Sequence, residues 1–349
     1  MYNAHAPREA PSRRASGGVD MKVVIVLQHR FELWSAPEWF PQRLRQEFPD
    51  IEVVYLRTYQ ELGQQLHDAD VAVTWSLRPE QFRAARKLRW VHSTAAAVHQ
   101  LIFPELVESH VILTNAREVH GPVVAEHALT LILSLARKVQ AAVRLQSKHV
   151  WGQEKLWHEP PPPREVAGAT VGIVGFGSIG RELAKRAAVL GMQVSVTREH
   201  PEKGSEGIAL AAIYLPARLK EMLGVSDYVV IAAPLTADTR GLINATRLSQ
   251  MKPDGFLINV SRGSLVDEAA LIECLRQNKI AGAALDVFEQ EPLPADSPLW
   301  DMDNVLITPH IAAVTEKMWD RHYALISKNM RFFLAGKPML GVVDKKRGY

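Results

Sequence analysis

Residues 169–180 read ATVGIVGFGSIG and end in Gly175-Phe176-Gly177-Ser178-Ile179-Gly180. The apolar run over 169–174 predicts a short buried strand. Residues 181–190 predict a helix closed by Gly191, and 192–197 predict the next strand. Strand, glycine turn, helix and strand is the order that a dinucleotide-binding turn requires. In that reading Gly175 permits the tight turn and Gly177 lets a pyrophosphate reach the backbone. Gly180 lets helix and strand pack closely. The helix N-terminus offers free N–H groups and the positive end of its dipole to the phosphates, with Ser178 and Ile179 of the turn counted with the glycines as cofactor contacts. This fingerprint lies halfway along the chain, so nearly half of the sequence must first form something else.

That first half has the same grammar. Short apolar stretches at 21–27, 51–55, 69–74, 90–93 and 111–114 alternate with helix-like segments, which predicts a parallel α/β unit of its own. From Pro122, taken as a first-turn residue, Leu129, Ile132, Leu133, Ala136, Val139 and Val143 recur at helical steps. A helix of about 25 residues would span about 37 Å and suits a connector between domains. The four prolines 160–163 predict a stiff extended approach to the fingerprint strand. Beyond it, strands are expected at 228–232, 255–260, 281–287 and 305–308. A helix from Ile311 onward could return to the first unit.

Composition sets the class. The 349 residues are 47% hydrophobic and 23% charged, with a net charge of +3. These are the proportions of a globular chain without the bulk field that attracts nucleic acid or a membrane surface. One cysteine, Cys274, excludes an intrachain disulfide framework and fits the cytoplasm. No run of about 18 apolar residues suggests a membrane span. Residues 1–20 are rich in Pro, Gly, Ser and Arg and lack the apolar core of a secretory signal, so a disordered tail is expected there. Neither HExxH nor paired CxxC occurs, and no metal site is expected.

Three ionisable residues follow successive predicted strands: Arg262, Glu291 and His310. In open α/β sheets ligands bind at the carboxyl ends of strands, so these side chains should converge beside the cofactor. Arg262 can hold a carboxylate and polarise a ketone with its fork of donors. His310 can give a proton to a developing alkoxide. A carboxylate at Glu291 would orient the imidazole and favour its charged form over the ordinary pKa of about 6.5. Together they suit hydride transfer to a 2-keto acid.

The stretches 260–267 (VSRGSLVD), 284–292 (ALDVFEQEP) and 307–310 (ITPH), with HGPVVAEH at 120–127 and APLT at 233–236, resemble the D-isomer-specific 2-hydroxyacid dehydrogenases. The likeness covers nearly all of the chain after residue 20. It implies that Arg262 binds substrate, that His310 is the acid/base and that Glu291 is its partner, with Glu289 a bystander. It adds Ala233, Pro234, Val260, Ser261 and Asp286 to the cofactor contacts, and Thr94, Ala95 and Ala96 to the substrate contacts. It further implies two Rossmann-like domains. A cofactor domain over 119–310, with the connector helix, is inserted into a discontinuous flavodoxin-like substrate domain over 21–118 and 311–349. A homodimer and a small 2-keto or 2-hydroxy acid substrate, of the glyoxylate or hydroxypyruvate kind, are expected. The rival is a nucleotide-sensing, corepressor-like binding protein on the same fold.

Two positions depart from the family pattern. Where NAD-linked members usually carry an acid at the end of the second cofactor strand, this chain has Thr197-Arg198. A guanidinium cannot accept hydrogen bonds from a ribose but pairs with a 2′-phosphate, so NADP(H) is expected over NAD(H). The substrate loop has Ala95, Ala96 and Ala97 where glycine is typical, which restricts positive-φ geometry.

Overall fold

The computed structural model describes residues 21–348, and the tail expected over 1–20 lies outside the described residues. The β-branched runs form two wholly parallel sheets. The first contains β1 (Lys22–Val26), β2 (Glu52–Leu56), β3 (Val71–Thr74), β4 (Trp90–Ser93) and β5 (Ile112–Asn115), in the order β2-β1-β3-β4-β5. This is the flavodoxin-like order. The second contains β6 (Thr170–Val174), β7 (Gln193–Thr197), β8 (Ala212–Tyr214), β9 (Tyr228–Ile231), β10 (Phe256–Asn259), β11 (Gly282–Leu285) and β12 (Val305–Ile307). Its order is β12-β11-β10-β9-β6-β7-β8.

The strand order reverses beside β6, where a doubly wound sheet opens a ligand crevice. Val174 pairs with Thr197 of β7 and with Ile231 of β9, so the turns that follow all three strands leave the sheet together. Parallel sheets need helices on both faces, and their strands are accordingly apolar throughout. On one face Ile173, Val194, Val230 and Ile258 pack with Ala128, Leu131 and Ile132 of the helix Arg117–Ala136. On the other, Val229, Ile231 and Leu257 pack with Leu223, Leu271 and Leu275.

The C-terminus returns to the first sheet. In the helix Met318–Leu334, Tyr323, Ile326 and Met330 join Val23, Ile25 and Phe40 in one core. Tyr323 Oη donates to Glu47 Oε2 at 2.5 Å, and Ser327 donates to the other carboxylate oxygen. Lys345 Nζ then donates to the carbonyls of Leu106, Ser109 and Val111.

Several local expectations are corrected. The connector begins at Arg117 and stops at Ala136, so Pro122 lies inside it instead of in its first turn. Lys138 at φ 54° breaks the helix, and Val139–Gln146 forms a separate one. The apolar period runs straight across that break because Val139 and Val143 are outward-facing, 46% and 55% exposed. By length and composition the helix Arg117–Ala136 could cross a membrane, yet it is mostly buried as a core helix. No helix starts at Ile311: the amides of Ile311 and Ala312 are taken by Asp286, and the helix begins at Met318. The short edge strand β8 had no distinct sequence signal.

Candidate active site

The fingerprint turn is a backbone cradle. Gly175 has φ +98°, and an added Cβ would lie 2.8 Å from the Ala233 backbone, so only glycine fits between β6 and β9. Its N–H donates to Thr197 Oγ1 at 2.9 Å, which ties the turn to the end of β7. At Gly177 an added Cβ would meet nothing within 4 Å. The helix Ser178–Val189 starts there without a side-chain cap, leaving its first N–H groups for an anion. Open space, a positive dipole end and uncapped donors fit the pyrophosphate of a dinucleotide. Ser261 Oγ donates to the Ala233 carbonyl at 2.6 Å and Thr239 Oγ1 to the Pro234 carbonyl at 2.7 Å, so these predicted cofactor contacts are held together. Val260 is buried beneath them.

Arg198 leaves the end of β7 as expected but is already partnered. Nη2 donates to Glu206 Oε1 and Nη1 to the Gly204 carbonyl, both at 2.5 Å, while the guanidinium lies 5.4 Å from the Phe176 ring centre. Arg181 Nε stands 3.6 Å from the other oxygen of Glu206. Glu206 was not foreseen, because it sits in an irregular turn with no motif around it.

The three catalytic candidates converge. Nδ1 of His310 meets Glu291 Oε2 at 2.6 Å, and the Phe288 N–H donates to the other oxygen at 3.0 Å. Burial alone would raise the Glu291 carboxyl; hydrogen bonds from His310 and Phe288, with the charges of His310 and Arg262, hold it below its ordinary value. Arg262 is part-buried, and burial lowers its pKa while the Glu291 charge opposes that shift. The approach depends on Gly263, where an added Cβ would fall 1.9 Å from the Phe288 carbonyl carbon. The Asn259 amide, donating to the Arg262 carbonyl at 2.9 Å, fixes the same turn.

Asp286, expected among the cofactor contacts, is fully buried and acts on the site through the backbone. Its oxygens accept from Thr308 Oγ1 at 2.6 Å and from the amides of Ile311 and Ala312 at 3.0 Å each. His127 Nε2 lies 3.4 Å away. The His310 amide adds a bond to the Asp286 carbonyl at 2.8 Å, so this one residue pins the turn that holds His310 at φ +53°. Burial raises its pKa, but these donors outweigh burial and keep it ionised below the ordinary range.

The loop expected to contact substrate is fixed from β5. Asn115 Nδ2 donates to the Ala96 carbonyl at 2.6 Å and the Ala116 amide to the Ala95 carbonyl at 3.2 Å. None of the three alanines has a positive φ, so the loop does without the geometry that glycine would allow. Thr94 is fully buried beside His120, and His322 of the C-terminal helix packs against His120 with ring centres 5.1 Å apart. His322 was not anticipated. Its only sequence signal is a polar residue on the stripe His322, Leu325, Asn329, all buried in the fold. Among the described residues, no group of three or more His, Cys, Asp or Glu side chains could hold a metal ion.

Comparison with known proteins agrees with this geometry. The family model described as D-isomer specific 2-hydroxyacid dehydrogenase, NAD binding domain, matches residues 129–312. A glyoxylate reductase of Pyrococcus furiosus is 34% identical over 296 residues, covering 82% of this chain and 86% of that one. A D-isomer specific 2-hydroxyacid dehydrogenase from Xanthobacter autotrophicus, solved with NADPH and MES, superposes with TM-score 0.79 at 32% identity over 94% of this chain and 99% of that one. An NADPH-dependent glyoxylate/hydroxypyruvate reductase from Sinorhizobium meliloti, solved with NADP and sulfate, gives 0.77 at 31% identity over 95% and 100%. A dinucleotide cradle, an Arg–Glu–His constellation and near full-length similarity lead to one assignment: the chain belongs to the D-isomer specific 2-hydroxyacid dehydrogenase family of NAD(P)-dependent oxidoreductases.

Proposed function

We propose that the enzyme reduces a small 2-keto acid of the glyoxylate or hydroxypyruvate kind to its D-2-hydroxy acid, with NADPH preferred over NADH. The observation that carries the reading is the 2.6 Å pair of His310 with Glu291, beside the part-buried Arg262. Bound reduced nicotinamide supplies the hydride. Thr94, Ala95, Ala96 and Arg262 bind the substrate carboxylate, and Arg262 also polarises the ketone with a charge it keeps at neutral pH. Glu291 fixes Nδ1 of His310, and the ring, 40% exposed, offers Nε2 to the substrate oxygen. As negative charge grows on that oxygen, the imidazolium gives up its proton.

Residues 175–180 hold the pyrophosphate in this reading, Thr197 and Arg198 take the adenosine ribose and its 2′-phosphate, and Ala233, Pro234, Val260, Ser261 and Asp286 complete the nicotinamide side. The cleft lies between the first sheet, completed by the C-terminal helix, and the dinucleotide unit. The working form is a cytoplasmic homodimer. Trp151 and Trp157, 91% and 62% exposed, with Val139 and Val143 from the preceding helix, are the apolar surface a partner copy would cover. A monomer in sedimentation at assay concentration would count against the dimer.

The decisive assay is steady-state oxidation of NADPH and NADH across a panel of 2-keto acids. Turnover with glyoxylate or hydroxypyruvate and a lower KM for NADPH is expected. No oxidation of either nucleotide would favour a nucleotide-sensing binding protein, and a strong NADH preference would end the NADP(H) reading. His310→Gln should lower turnover by about 10²–10⁴-fold with NADPH affinity nearly intact. Lost cofactor binding would mean that His310 has another role.

A further inference from the structure

Buried polar atoms without a protein partner are uncommon, and each calls for an explanation. Among the described residues eight such side-chain atoms occur, and six belong to one cluster: His92 Nε2, Thr94 Oγ1, His120 Nδ1, Arg321 Nε and both ring nitrogens of His322. His92, Thr94 and His322 are each 0% exposed. They come from β4, from the loop that follows it and from the C-terminal helix, and His120 adds the connector helix. Trp319 and Trp75 wall His322, with ring centres 5.3 and 6.5 Å away.

The cluster adjoins the catalytic groups. The Thr94 backbone hydrogen-bonds His120, and the Arg262 charge acts on the same ring. Gly121, next in the chain, lies against the dinucleotide turn: an added Cβ would be 2.1 Å from Ser178 Oγ. Burial keeps the three imidazoles neutral at pH 7, with His92 pushed down to about 3, His120 to about 4 and His322 well below its ordinary value. A neutral imidazole offers one donor and one acceptor, a threonine hydroxyl offers both, and the Arg321 Nε–H is a donor. None of the six atoms belongs to a carboxylate. A hydroxyl group, which gives and takes hydrogen bonds, matches this set; a methyl group leaves every one of these atoms unmet.

We propose that this cluster is the subsite for the C3 substituent of the 2-keto acid, and that it selects a C3 hydroxyl over a C3 methyl. The proposal rests on the keto-acid reductase reading. His322, which contributes both of its ring nitrogens, is the specificity-determining residue, and the two tryptophans keep bulk water from competing for it.

The test compares kcat/KM for hydroxypyruvate and pyruvate, with glyoxylate as a substrate that lacks C3. The full-length enzyme should prefer hydroxypyruvate to pyruvate by about 100-fold or more, because an unmet buried donor or acceptor penalises the methyl analogue. His322→Phe keeps a ring between the tryptophans and should cut that ratio about tenfold or more, whatever loss both acids share. His322→Gln restores a donor and an acceptor and should recover most of the ratio. A ratio within about threefold of the parent enzyme in His322→Phe overturns the proposal, as does a parent enzyme that reduces both acids equally well. In either case the cluster holds only water. Should thermal melting find His322→Phe unfolded, the parent ratio and His322→Gln decide. Failure of the underlying reading looks different: none of the three acids is reduced with either nucleotide.

Discussion

Two polar clusters flank the candidate site and are finished in opposite ways. Around Asp286, Glu291 and His310, hydrogen bonds from Thr308, Ile311, Ala312, Phe288 and His310 account for all four carboxylate oxygens. Around His92, His120 and His322, which are more deeply buried, polar atoms have no protein partner. A satisfied cluster fixes geometry, because moving any member leaves a buried charge unpaired. An unsatisfied one has spare hydrogen-bonding capacity, which suits a group that must come and go.

The largest difference between the two should appear in acid. His92 and His120 have folded values of about 3 and about 4 against an ordinary 6.5, so the unfolded chain binds protons first. Their contribution to stability is full above pH 6.5 and is lost as pH falls from there toward the folded values. By pH 5 each removes about 2 kcal/mol, about 4 kcal/mol together. The carboxylates act later, because depressed values hold their contribution until pH drops through and below about 4. Chemical denaturation at pH 7 and pH 5 should register the loss, and His92→Asn should flatten it. Stability that stays level across this window would mean that the histidines are not neutral in the fold. On the satisfied side, Asp286→Asn turns an NH2 donor toward amides that also donate. A loss of about 3 kcal/mol is expected, together with reduced turnover as the His310 turn loosens. An unchanged denaturation midpoint would remove Asp286 from its place as the anchor.

The same contrast marks what could be read in the sequence. Gly175, Arg262, Glu291 and His310 were legible because each follows a strand, and a parallel sheet brings its strand ends to one edge whatever their separation along the chain. Asp286 was legible as a site residue but not as the anchor, since its partners are backbone amides that any residue supplies. His322 was illegible because its neighbour His120 lies some 200 positions earlier and the two meet only when the C-terminal helix crosses back. The break at Lys138 was hidden for another reason. Periodicity counts apolar residues without distinguishing a core face from an exposed one, and Val139 and Val143 continue the pattern on the outside.

A smaller effect tests the charge within the satisfied cluster. Glu291→Gln keeps a hydrogen-bonding partner for His310 but removes the anion beside its ring. Reductive kcat should fall about tenfold while KM for the keto acid changes little. Because the folded Glu291 value is depressed, its ionised carboxylate contributes fully above the ordinary 4.5 and that contribution is lost only as pH falls through the lower value. The parent enzyme therefore keeps it throughout neutral assays. An unchanged kcat would mean that a neutral partner orients the ring as well as the carboxylate does.

The smallest effect concerns a third arrangement, a polar group satisfied by a partner that a ligand would replace. Arg198 is only 11% exposed and donates to Glu206, whose carboxylate also faces Arg181. In the NADP(H) reading the 2′-phosphate has to take over the Arg198 fork from Glu206, so this carboxylate competes with the cofactor. The pair is partly solvent-screened, so its removal is worth well under 1 kcal/mol. Glu206→Gln should accordingly tighten NADPH binding about twofold to threefold in a fluorescence titration and leave NADH unchanged. Arg198→Ala should weaken NADPH by about tenfold or more and barely affect NADH. Equal changes for both nucleotides would reduce Glu206 to a fastener of its own turn. Weaker NADPH binding in Glu206→Gln would mean that the carboxylate aims Arg198 at the phosphate and does not compete with it, which would place this pair with the Asp286 type of cluster.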